Sequence, residues 1–216
     1  MSALKLAIVP VTPFQQNCSV IQCTATNQCV VIDPGGDLDR VEAAIEEMGG
    51  TLSAIWITHA HLDHAGATAE LQRKSGVDVI GPHKEDQFWI DLLPMQASRF
   101  GFGHAEAFTP TRWLDQGDTV QVGEVEFQVF HCPGHTPGHV VFVQPEAKLA
   151  VVGDVLFKGS IGRTDFPRGN FEDLKSSIRD RLFPLGDDIT FICGHGPTST
   201  FGHERKTNPF VGDQAV

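Results

Sequence analysis

Apolar residues recur along this chain with two different periods, and the changes of period mark its elements. In the first third, β-branched residues cluster in short runs. "LKLAIVPV" (4–11), "CSVIQCTA" (18–25) and "NQCVVIDPGG" (27–36) predict three strands, the last stopped by Pro34, Gly35 and Gly36. The period then lengthens. In "DLDRVEAAIEEMGG" Leu38, Val41, Ala44, Ile45 and Met48 recur at helical spacing, and Gly49 and Gly50 end the helix. "LSAIWITH" (52–59) predicts a strand, "AGATAELQRKSG" (65–76) a helix and "VDVIGPH" (77–83) a short strand. Periodicity is weak over 84–110, where a helix near 84–93 and then a loop near the site are expected. Phe88, Trp89, Phe100 and Phe102 in that stretch are assigned to the core rather than to a pocket floor. Beyond them "DTVQVG", "VEFQVFHCPG", "HVVFVQP" and "KLAVVGD" predict strands, "NFEDLKSSIRDRLF" (170–183) a helix and "DITFICGHGP" (188–197) a final strand. Antiparallel runs mixed with helices predict an α+β layered fold. No repeat or linker interrupts it, so residues 1–216 are read as a single domain.

Composition narrows the class. A chain of 216 residues, 41% hydrophobic and 20% charged, can bury a substantial core and is not of disordered type. The net charge of −11, from 16 Lys+Arg against 27 Asp+Glu, argues against a nucleic-acid or anionic-membrane surface. No stretch reaches the ~18 uninterrupted apolar residues of a membrane span, and the N-terminal apolar run is too short for a signal peptide. Cys18, Cys23, Cys29, Cys132 and Cys193 are odd in number and form no CxxC pair, which fits reduced thiols in a cytoplasmic protein better than a disulfide framework. Oligomeric state leaves no mark in the pattern.

The chemistry concentrates where strands end. "ITHAHLDHAG" packs His59, His61, Asp63 and His64 into six positions, and "VFHCPGHTPGH" offers His131, His135 and His139. "LAVVGDVLF" places Asp154 after another strand, and "TFICGHGP" places His195. Loops at strand ends are where sites assemble on a rigid scaffold. His59 and His61, two apart in an extended segment, point the same way and can grip one ion, whereas Asp63 and His64 open the next helix and face a different point. Imidazole with carboxylate suits zinc, iron or manganese; calcium wants oxygens. One ion needs three or four protein ligands, so this surplus of candidates suits two neighbouring ions with a carboxylate such as Asp154 between them. Singly, Asp63 reads as a helix N-cap, His195 as a satisfied polar residue and Asp154 as turn chemistry after Gly153. Jointly those readings leave the polar groups of "HAHLDH" without a shared purpose.

These residues carry a family resemblance. "THAHLDHAG" matches the HxHxDH signature of the metallo-β-lactamase superfamily, and "GHTPGH", "GDVLF" and "CGHGP" follow in that family's order, a likeness spanning roughly residues 5 to 212. The resemblance implies a four-layer αββα sandwich with a binuclear site at one edge. By it, His59, His61 and His135 bind one metal, Asp63, His64 and His195 the other, and Asp154 bridges, while His139 supports without ligating. "GDVLFKGSIGRTDFPRGN" is similar to the hydroxyacylglutathione hydrolases (glyoxalase II), and "GHGPTSTFGHERKTNPF" resembles their short bacterial form. That implies two divalent metal ions per chain, zinc first with iron or manganese as alternatives, and a small-molecule thioester, a glutathione conjugate such as S-lactoylglutathione. Asp63 would be the catalytic residue that orients the attacking water. Lactamases of the superfamily usually carry cysteine where Asp154 stands. The longer glyoxalase II enzymes hold glutathione with a basic residue and a tyrosine two apart, and add a helical region that is not expected here. The matching positions are Arg163 and Asp165, so Arg163 is the expected substrate-binding residue, meeting a glutathione carboxylate. Internal pairing of Arg163 with Asp165 is the competing expectation, and the chain has no tyrosine. Arg205 and Lys206 form a basic pair read as a solvated face. Two other functions stay open: a persulfide dioxygenase using a single iron, which shares a "GRTDF"-like segment, and a metal-binding protein without turnover.

Overall fold

The computed structural model describes residues 3–215. Its first sheet contains β1 (Leu4–Val11), β2 (Gln16–Cys23), β3 (Gln28–Ile32), β4 (Thr51–Trp56) and β5 (Asp78–Ile80), hydrogen-bonded in that order. β1, β2 and β3 pair antiparallel through short turns, while β3, β4 and β5 pair parallel. Parallel neighbours need crossovers, and helices supply them: α1 (Leu38–Glu47) joins β3 to β4, and α2 (Leu62–Ala65) and α3 (Thr68–Ser75) join β4 to β5. After α4 (Gln87–Phe100) come β6 (Thr119–Val122), β7 (Val125–His131), β8 (Val140–Gln144) and β9 (Leu149–Gly153). A small ribbon of β10 (Leu156–Phe157) and β11 (Ser160–Ile161) follows, then α5 (Phe171–Ser176), which runs on through a π-turn over Ser177–Leu182. β12 (Thr190–Cys193), β13 (Ser199–Thr200) and α6 (Phe201–Thr207) complete the order. The second sheet runs β13-β12-β9-β8-β7-β6, with β12 parallel to β9 and the other pairs antiparallel.

The period-2 alternation of strand side chains decides what packs where. Ile21, Val30, Ile32 and Trp56 of the first sheet face Val120, Phe127, Val129, Phe142 and Ile192 of the second, forming the central layer. Their neighbours Val20, Val31 and Ile55 point the opposite way, onto Val41 of α1, Leu71 of α3 and Ile90 and Leu93 of α4. On the far side Val141, Val143, Val152 and Phe191 pack against Leu174, Ile178, Leu182 and Phe201. Both faces of each sheet are thus covered, which is why so many strands read as continuous apolar runs. The layers are helix, sheet, sheet, helix: the expected αββα sandwich. Trp56 anchors the centre, fully buried with Phe127 and Phe142 at ring-centroid distances of 5.4 and 5.1 Å. Trp56→Ala is expected to cost roughly 3–5 kcal/mol, read as a lowered urea midpoint at unchanged slope.

Three expectations change. The helix expected near 84–93 runs to Phe100, through Pro94. Its buried face, Trp89, Ile90, Leu93 and Ala97, continues past the exposed proline, so packing outweighs the ~3 kcal/mol a helix-interior proline costs. Gly101 at φ 68° ends it. Of the aromatics assigned to the core, Trp89 is buried and Phe88 and Phe102 pack against the core half-buried, but Phe100 is 58% exposed. Residues 201–207, which the apolar pattern leaves unassigned, form α6 because Thr200 caps it, accepting the His203 N–H at 3.1 Å. The five cysteines are free and buried. Among the described residues no helix is long and apolar enough to cross a membrane.

Candidate metal centre

The segments leaving β4, β7, β9 and β12 bring their polar residues to one place. His59, His61 and His135 converge, each offering an atom within 4.8 Å of the others, and Asp63, His64 and His195 do the same beside them. His61 Nδ1 and His135 Nε2 are 3.0 Å apart. Asp63 Oδ2 lies 3.1 Å from His195 Nε2. Asp154 stands between the two groups: its Oδ1 is 3.2 Å from His64 Nε2, and its Oδ2 is 3.5 Å from His135 Nε2 and 3.7 Å from His195 Nε2. All the residues expected as ligands are therefore together. His139 stacks on the His59 ring at 4.5 Å and accepts the Asp154 amide on Nε2 at 3.1 Å, so it props its neighbours. His131 is turned away. Its Nε2 donates to the Pro137 carbonyl at 2.8 Å, and its ring stacks on His83 at 4.2 Å.

Arg163 sits at the rim, where its carbonyl accepts from His135 Nδ1 at 2.7 Å. Its guanidinium is paired with Asp165 through Nε at 2.9 Å and Nη2 at 2.8 Å and lies over the Phe166 ring at 4.5 Å. The internal pair raised as the competing expectation is the arrangement present.

The donor set fits divalent ions. His59 Nε2 is buried and makes no hydrogen bond, and buried His64 Nε2 and Asp154 Oδ1 have only each other, 3.2 Å apart. A buried polar atom without a full set of partners is costly, so these ligand-type atoms, spread over both groups, fit bound cations. Protonation agrees. Burial, helped by the neighbouring imidazoles, holds His59, His61, His135 and His139 below the usual histidine range, which keeps them neutral and able to ligate. Burial works against charge on His64 too, yet Asp154 and Asp63 overcome it and hold His64 well above that range. His195 is likewise raised against burial by its hydrogen bond to Asp63. For the same reason Asp63 and Asp154, despite burial, are held below the ordinary carboxylate range, chiefly by His64.

Glycine is required where the clusters close on themselves. A Cβ on Gly194 would lie 2.0 Å from Asp154 Oδ1 and 2.6 Å from His64 Cε1. Gly194→Ala should push both groups aside and lower turnover about a hundredfold, since a displacement near 1 Å has that effect. Turnover and the metal equivalents bound by the purified variant check this: wild-type values of both would mean that the neighbours yield easily.

Two residues of the surroundings escape the sequence pattern. Asp33, at φ 56°, accepts the Thr58 amide at 2.7 Å and the Thr58 hydroxyl at 2.5 Å and meets His64 Nδ1 at 2.9 Å, fixing that ring. Its signal was present in "VVIDPGG", an aspartate directly after a strand as Asp154 is. The other is Asp86, just before α4 and wholly buried. Burial pushes its carboxyl up to about 7, against hydrogen bonds from Ala60, Thr136 and Gly138. Nothing local in "HKEDQF" distinguishes it from a surface acid.

A model described as the metallo-beta-lactamase superfamily matches residues 11–195. A Haemophilus influenzae protein named hydroxyacylglutathione hydrolase GloC is 47% identical over 213 residues, spanning 98% of this chain and 100% of its own. Among solved structures, BLEG-1, titled a B3 metallo-beta-lactamase, is similar with a TM-score of 0.87 at 32% identity, covering 96% of this chain and 99% of its own. TTHA1623, solved in a di-iron-bound form, reaches a TM-score of 0.85 at 36% identity over 94% of this chain and 99% of its own.

Proposed function

The chain belongs to the metallo-beta-lactamase superfamily and is a metal-dependent hydrolase, and from that premise we propose that it cleaves S-lactoylglutathione or a related 2-hydroxyacyl thioester to the hydroxy acid and the free thiol. The observation that carries this reading is Asp154 standing between two complete ligand groups. His59, His61 and His135 would hold one divalent ion and Asp63, His64 and His195 the second, with Asp154 shared. Zinc is proposed; iron or manganese suits the same donors, and the di-iron form of a similar protein supports that breadth. When bound, such ions lower the pKa of water from ~15.7 towards ~7 and polarise a carbonyl oxygen.

The chain's own residues do the rest. Asp63, ionised and only partly covered, is placed to orient the attacking water and accept its proton on a carboxylate oxygen. Asp33 keeps the His64 ring from turning, and His139 stacks on the His59 ring and holds the Asp154 backbone. Trp89 and Phe166 pack on His61 at 4.5 and 4.8 Å, closing one side with apolar surface. A thiolate leaves readily, so no separate general acid is needed. Arg163 is proposed to meet a glutathione carboxylate. Its bond to Asp165 uses Nε and Nη2, leaving Nη1 to recruit the substrate or requiring exchange of partners. The buried free cysteines suit a cytoplasmic setting.

The complete Asp63, His64 and His195 group favours two ions over the single iron of a persulfide dioxygenase. Chelation should abolish S-lactoylglutathione hydrolysis, and two equivalents of zinc should restore it. Metal-loaded protein that leaves the thioester intact but consumes oxygen on glutathione persulfide would overturn the proposal.

A further inference from the structure

We infer that Asp86 is a positioning residue: its carboxylate sets the spacing between the two loops that carry His59, His61 and His135. The inference rests on the ligand assignment proposed above. Asp86 Oδ2 accepts the Ala60 amide at 3.0 Å and the Thr136 hydroxyl at 2.9 Å, and Oδ1 accepts the Gly138 amide at 2.6 Å. Ala60 lies between His59 and His61, Thr136 follows His135, and Gly138 precedes His139. One side chain therefore grips both ligand loops, across 26 residues in one direction and 52 in the other.

The fit around it is close. The His83 amide donates to the Gly138 carbonyl at 3.0 Å, so the 83–86 segment holds Gly138 by both of its backbone polar groups. A Cβ on Gly138 would lie 2.5 Å from Asp86 N and 2.7 Å from Asp86 Oδ1, so only glycine admits this seating. A carboxylate with no exposed surface is expensive to bury, and here each oxygen meets a backbone N–H that can only donate. Asparagine cannot copy this. Whichever way its amide turns, the NH2 faces a backbone N–H. Asp86 touches none of the second group, Asp63, His64 and His195, through these bonds, so its influence should be confined to the first.

The test uses zinc titration of the full, metal-stripped chain against a chromophoric chelator, in two backgrounds. His195→Ala leaves the first group intact, and His61→Ala leaves the second. Asp86→Asn should weaken zinc binding about 10- to 100-fold in the His195→Ala background, as loss of a carboxylate behind a ligand typically does, and leave the His61→Ala background unchanged. Thr136→Val, which removes a single bond and spares the fold, should give a smaller loss of about tenfold or less, in the first background alone. Equal weakening in both backgrounds would mean a merely structural role, and wild-type affinity in the first would mean no role; either overturns the inference. So would a wild-type chain that takes no zinc in the first group. Failure of the thioester assay, by contrast, would sink the proposed substrate and leave these titrations standing.

Discussion

Asp154→Ala protein should retain no more than about a thousandth of wild-type thioester turnover, because the two proposed ions would lose their common carboxylate and with it several kcal/mol of transition-state stabilisation. The carboxylate reaches both groups: Oδ1 is 3.2 Å from His64 Nε2 and Oδ2 is 3.5 and 3.7 Å from His135 and His195. It also supplies negative charge between what would be two dications, whose mutual repulsion rises steeply in a buried, low-dielectric place. Without it, His64 loses the largest of the influences that raise it above the usual histidine range. The backbone should stay put, since the Asp154 amide still donates to His139. Asp154→Asn keeps the shape and one acceptor but removes the charge, and should fall between the two. Bound metal per chain and kcat decide the matter; an alanine variant with two ions and full turnover would show that Asp154 does not bridge.

The second large effect belongs to Asp63. Asp63→Ala should lose one metal equivalent and about 10²–10⁴-fold in turnover, the range for removing a general base or water-orienting group. Its Oδ2 faces His195 Nε2 at 3.1 Å, and it adjoins His64 in the chain, so its loss opens the second group while leaving His59, His61 and His135 in place. Asp154 and Asp63 thus predict different failures. Asp154 should cost both ions their common ligand, whereas Asp63 should spare the first. Metal titration of Asp63→Ala should show one tight equivalent where the wild type shows two. Retention of both ions with lost turnover would confine Asp63 to proton handling.

Much of the site was legible along the chain because metal chemistry accepts few side chains, and these stand in short runs at strand ends. His59, His61, Asp63 and His64 share one six-residue stretch, and the glycines beside His135, Asp154 and His195 mark the turns that expose them. His131 carried the same local signal as His135. It differs only in lying on β7, where its ring is drawn off to His83 and Pro137. Asp86 shows the converse, looking ordinary in sequence until three donors from distant loops surround it. Arg163 was open between two partners, and a neighbour two residues away reached it first.

The sequence by itself determined most of the strands and helices, because period acts over a few residues. It also determined which chemical groups stand at the strand ends. Only the tertiary structure decided which of them meet. Asp33 finding His64, Asp154 standing between two histidine groups and Asp86 joining two loops all depend on how the sheets stack and where each loop leaves them. Those positions are set by the sum of many apolar contacts across the layers, a quantity no short stretch of chain contains.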